Sequence, residues 1–181
     1  YMVFNSLEAI ADWTGIFWIT LLFGATNATI NSFRNESGNQ FLYYYTLVSA
    51  KHIILSKLIY NSILILLVTI LNFIAFSLFL SNPIENLALF CLVFLLGSLG
   101  VSSILTFGSA IASKTNNNST LTAILSFPML LPTLLISIKA SMLAGLGFGW
   151  EESESYILSL FLLNVVVTAL SYVLFPYLWR S

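Results

Sequence analysis

Five long runs of apolar residues set the terms on which this chain can fold. They cover about residues 13–33, 58–80, 87–112, 121–143 and 156–179. Each is about 21 to 26 residues long, and about 20 suffice to cross the hydrocarbon core of a bilayer. Only 7% of the 181 residues are charged, whereas 59% are hydrophobic. Soluble domains carry about 25% charged residues, so this set cannot build a surface for water. An all-α polytopic membrane protein follows, one membrane domain over residues 1–181.

Charge supplies the orientation. Basic residues collect on the cytoplasmic side of membrane proteins. Placing residues 34–57 there puts Arg34, Lys51, Lys57, Lys114 and Arg180 inside and only Lys139 near the opposite face. Glu8, Asp12, Glu85, Glu151, Glu152 and Glu154 then lie outside, in the short connections MVFNSLEAIAD, SNPIEN and GLGFGWEESES, and Glu36 lies inside. The C-terminus is cytoplasmic. The chain opens on Tyr1 without a methionine, which leads us to expect a largely missing first helix that ends near Phe4 and brings the spans to six.

Several function classes drop out. The net charge of −1 and the absence of a basic cluster exclude nucleic-acid binding. A single cysteine, Cys91, excludes a disulfide framework and a cysteine zinc site. No catalytic triad, carboxylate pair or metal-ligand spacing is present, so no enzyme and no metal centre are expected. No ionisable residue sits in the middle of a run, which argues against ion-coupled transport. Nor is there a phosphate-binding GxxxxGK[ST] loop, so any nucleotide must be bound by another chain.

Two runs carry internal patterns. Ser98, Ser102, Thr106 and Ala110 recur every four residues, with Gly108 four before Ala112. They form a small-residue stripe that lets another backbone approach closely. Helix packing, a dimer seam and the lining of a substrate route all fit it. In the fourth run Pro128 and Pro132 share a face, and each removes a donor and crowds the preceding turn. That helix should bend or break, as a fixed kink or as a hinge.

The stretch 34–57, RNESGNQFLYYYTLVSAKHIILSK, holds three of the six basic residues and the lone histidine, His52. Gly38 offers a break after Glu36, and Phe41, Tyr45 and Val48 recur at helical spacing. Tyr43, Tyr44 and Tyr45 spread around the resulting short helix and suit either a headgroup belt or a protein contact.

The Ser-Phe-Arg-x-Glu entry at 32–36, the Ala-Ser-Lys-x-Asn-Asn-Asn turn at 112–118 and Ser-Phe-Pro at 126–128 resemble the haem exporter protein B (CcmB) family. The likeness runs from about Trp13 to Leu135 and more weakly to the C-terminus. It implies a six-helix permease of the ABC-2 exporter type in the bacterial inner membrane, dimeric and surrounded by lipid. Its partners would be a separate ATP-binding subunit that carries the ATP, a haem-handling membrane subunit, a small single-span subunit and, indirectly, a periplasmic haem chaperone. Arg34, Glu36, Gly38, Phe41, Tyr43, Tyr44, Tyr45 and Val48 would form the coupling helix that docks into the ATPase. Haem would be cargo rather than cofactor. His52 is the one axial-ligand candidate, and an interfacial histidine is the other reading of it. Export of a different amphipathic cargo and a non-transporting scaffold are the rival functions.

Overall fold

The computed structural model describes residues 2–34, 49–80, 82–112 and 118–180, and the side chains within 9–29, 49–80, 82–112 and 121–177. Five helices follow one another: α1 (Met2–Arg34), α2 (Ala50–Phe79), α3 (Leu87–Ala112), α4 (Asn118–Gly145) and α5 (Trp150–Arg180). Each contains a stretch long and apolar enough to cross a membrane. At about 1.5 Å per residue even α3, with 26 residues, reaches about 39 Å. That exceeds the hydrocarbon thickness of about 30 Å.

Three helices start six or more residues before the apolar runs do. Residues 2–12, expected as an outer connection with a preceding helix ending near Phe4, are the opening turns of α1. The buried face explains this: Ile10 continues the spacing of Trp13, Thr14, Phe17 and Leu21, while Asp12 points away. Residues 50–57, expected in the cytoplasmic segment, open α2, where Ile54 and Leu58 extend the buried line of Asn61, Ile65 and Thr69. The start of α5 at Trp150 is likewise six residues ahead of the apolar run, with Glu151 and Glu152 in its first turn. Acidic side chains are favoured there by the exposed N–H groups and helix dipole, and a Glu152 carboxylate oxygen accepts from Gly149 N–H at 3.1 Å. In α4 the helix runs through Pro128 and Pro132 without a break. Both rings are exposed, away from the packed face.

The helices alternate in direction. At one end Asn86 joins the α2–α3 connection to the α4–α5 turn, donating its backbone N–H to Ala144 O and its amide to Phe148 O, both at 3.0 Å. Its side-chain oxygen also accepts from Leu89 N–H, capping α3. Gly147 completes the turn with φ +75, a left-handed conformation that glycine adopts without strain. At the other end Ile54, Leu58, Ala110 and Phe175 form a cluster from α2, α3 and α5. The first end carries Glu85, Glu151, Glu152 and Glu154, and the second carries Lys51 and Lys57.

α3 is the axis of the bundle and packs against every other helix. Its second half, from Gly97 to Ala112, is buried almost throughout. Lipid offers no hydrophobic gain for helix association, so contact here rests on close fit and interhelical hydrogen bonds. One tight fit is at Gly97, where a Cβ would collide with the six-membered ring of Trp18 and stand 2.8 Å from Ser137 Oγ. Trp18 is fully buried and donates its indole N–H to Ser141 Oγ at 2.9 Å. Beside it, rings of Trp13, Phe17, Phe73, Phe76, Phe90 and Phe94 pack between α1, α2 and α3, with Trp13 and Phe17 stacked at 5.5 Å.

Gly97→Ala overpacks this contact and is expected to destabilise the protein by about 1–3 kcal/mol. Trp18→Phe, which shortens the ring system, should recover part of that loss in the double variant. Thermal unfolding in detergent of the two single variants and the pair checks both statements.

Candidate functional site

Hydroxyls and amides inside the bilayer must find partners, and most do so on their own helix. In α1 Thr26 and Thr29 donate to the carbonyls of Leu22 and Ala25, and Asn27 donates to Phe23 O. Thr26, Asn27 and Thr29 of the polar second half of the first run thus donate within their own helix. Three asparagines instead tie helices together. Asn72 of α2 donates to Phe17 O of α1 at 3.1 Å, and Asn164 of α5 donates to Leu96 O of α3 at 3.0 Å. Asn61, fully buried, donates to Thr106 Oγ1 at 3.0 Å.

The small-residue stripe of α3 lies in this interior. Ser98, Ser102, Thr106 and Ala110 are all buried. Thr106 meets Asn61, Ser102 Oγ stands 3.2 Å from Ser62 Oγ, and Ser98 donates to Leu95 O. Ala110 belongs to the cluster shared with α2 and α5. A Cβ on Gly108 would collide with Ser126 Oγ of α4. The stripe therefore lets α2 approach on one side and α4 on another. Four side-chain atoms within this polar interior have no hydrogen-bond partner: Asn61 Oδ1 and the hydroxyls of Ser109, Ser126 and Ser137.

Facing outward between α2, α3 and α5 is a long apolar groove. Its basic-end half is a cleft of about 740 Å³ with walls that include Leu55, Ile59, Val165 and Ala169. The acidic-end half, about 780 Å³, reaches Trp150 and Glu154. Leu96, Leu99 and Phe161 line both halves. Three polar residues at the wall of the basic-end half have partners of their own: Ser62 pairs with Ser102, Ser103 donates to Leu99 O, and Asn164 donates to Leu96 O and Leu160 O.

At the basic end, Ser49 precedes α2 and its hydroxyl lies 2.6 Å from His52 Nδ1. His52 is exposed in the first turn and has this local partner. Lys51 Nζ sits 5.3 Å from the centroid of the Tyr172 ring on α5, a cation–π contact. Among the described residues no three His, Cys, Asp or Glu side chains gather as metal ligands.

Of the coupling residues, Arg34 ends α1, and Glu36, Gly38, Phe41, Tyr43, Tyr44, Tyr45 and Val48 lie outside the described residues. The ends flanking them, the close of α1 and the opening of α2, stand at the basic end of the bundle. The residues that hold the helices together, Trp18, Gly97, Asn61, Asn72 and Asn164, were not singled out by motif. A lone asparagine in an apolar run, as in LIYNS and LLNVV, is the signal that marks three of them.

Thr106→Val strands the buried Asn61 amide and should lower stability by about 0.6–1.7 kcal/mol. Adding Asn61→Leu should restore much of it, because removing both partners leaves no polar group unsatisfied. Denaturation in mixed micelles reads the difference.

A family model described as CcmB protein matches residues 5–176. No curated protein and no solved structure matches the chain.

Proposed function

The chain belongs to the CcmB family, a haem-exporter permease component of cytochrome c maturation, and on that premise we propose that residues 34–48 receive the motion of a separate ATPase. It is a multi-pass inner-membrane protein and part of an ABC transporter complex, which implies an ATP-binding partner. The family match over residues 5–176, nearly the whole chain, is the observation that carries the reading.

The finer reading starts from the two ends of the bundle. Arg34, Lys51 and Lys57 stand at one end and the carboxylates of Glu85, Glu151, Glu152 and Glu154 at the other, so the basic end is the cytoplasmic one. The C-terminus of α5 is then cytoplasmic too. The helix ends that the segment 35–48 joins, the close of α1 and the opening of α2, stand at this face, where an ATPase must bind. Glu36 offers a charge to a basic partner, and Phe41 and the three tyrosines offer apolar surface for a groove on it. Motion received there passes directly into α1 and α2, which grip α3 through Trp18 and Asn61. Two copies of the chain form the permease, beside a haem-handling membrane subunit and a small single-span subunit. Haem passes as cargo to a periplasmic chaperone, and ATP stays on the partner.

Glu36→Lys reverses the one acidic charge of the segment without touching a described packing contact. Copurification of the ATPase with the tagged variant should fall by about tenfold or more, as for loss of a charge pair at an interface. Membrane insertion and the thermal midpoint should not change. Copurification equal to that of the unaltered protein would remove Glu36 from the docking surface.

A further inference from the structure

We propose that the basic end of the α2/α3/α5 groove binds an anionic phospholipid, its phosphate beside Lys51 and an acyl chain in the 740 Å³ cleft. The site has a polar head and an apolar body. At the head, Lys51, Tyr172, Pro176 and Tyr177 surround a second, smaller cavity of about 300 Å³. The contact with the Tyr172 ring holds the ammonium at this mouth rather than letting it range through solvent. The phenol of Tyr177 is 74% exposed and stands at the same opening. Tyr172 lines both the head cavity and the cleft, so the two adjoin at this ring.

The body matches one leaflet. Phe161 and Tyr172 mark the ends of the cleft on α5. Eleven residues at about 1.5 Å each separate them by about 16 Å. Half of a hydrocarbon core of about 30 Å is about 15 Å, the depth an acyl chain fills below its headgroup. Ser62, Ser103 and Asn164 have partners of their own, which leaves the walls apolar, as an acyl chain requires. Charge decides which end of the groove takes an anion. Glu154 lines the opposite half and repels a phosphate, whereas Lys51 attracts one. A transmembrane helix would fill both halves and would have no use for a cation fixed at the mouth of one.

Native mass spectrometry of the full-length protein, released from nanodiscs of equal phosphatidylglycerol and phosphatidylcholine, tests the site. Phosphatidylglycerol should be retained over phosphatidylcholine by about fivefold, the effect of one basic residue on an anionic lipid. Lys51→Gln should bring the ratio to near parity, and Lys51→Arg should keep it. Equal retention by the unaltered protein, or an unchanged ratio in Lys51→Gln, overturns the proposal. A photoreactive residue at Val165 in native membranes should form a phospholipid adduct. An adduct to a polypeptide instead would assign the groove to a protein helix and overturn the lipid site. Displacement of the lipid by glycerol phosphate would assign the head cavity to a free anion and overturn it as well.

Discussion

Close approach around α3 is the condition on which the rest of this bundle depends. In a bilayer the outer surface of a helix is already in an apolar medium, so large side chains gain little by turning inward. Phe79, at 85% exposure, and Leu78, at 76%, accordingly face outward. The closest approaches to α3 are nonetheless made at small or polar residues: Gly97 under the Trp18 ring, Gly108 under Ser126, Ser102 beside Ser62. Each small residue admits a neighbouring backbone or ring, and each hydrogen bond fixes the rotation of the helix that makes it. The Trp18 hydrogen bond to Ser141 ties α1 to α4 while its ring packs over Gly97 of α3, and the Asn61 and Asn164 bonds fix α2 and α5 against α3.

This arrangement suits a permease that is driven from outside itself. The interior combines an aromatic and aliphatic core around Trp13, Phe17 and Phe90 with a seam of small and polar contacts along α3. Some of its hydroxyls, such as those of Ser126 and Ser137, are buried without a partner. Such a seam stores few strong bonds that a shift of one helix along another would have to break. α1 and α2, whose ends flank the segment at the basic face, are the helices held to α3 by Trp18 and Asn61.

The helices were legible in the sequence because the bilayer imposes a length that few other constraints impose. The third run, 87–112, coincides with α3. Starts were misjudged wherever a helix emerges from the hydrocarbon: Asp12, Lys51 and Glu151 break an apolar run without breaking a helix, since each points away from the packed face. The prolines likewise leave α4 continuous. Pro128 and Pro132 each remove a donor, yet their rings lie on the exposed side of α4, where they crowd no neighbouring helix. The family was legible from short motifs at 32–36, 112–118 and 126–128, and the match over residues 5–176 agrees with it. The grip on α3 was not, because Trp18 and Gly97 are far apart in the chain and neither spacing nor composition pairs them.

Membership of the CcmB family makes the chain a haem-exporter permease component of cytochrome c maturation, and the proposed function makes ATP hydrolysis on a partner its source of energy. Reconstitution of the full-length protein with its copurified partners in liposomes allows haem delivery to the far side to be timed with and without hydrolysis. Delivery should require ATP and should stop when the partner ATPase carries a substitution that abolishes turnover but leaves docking intact. Delivery at the same rate with the turnover-deficient partner would contradict a driven permease and leave the chain as a scaffold.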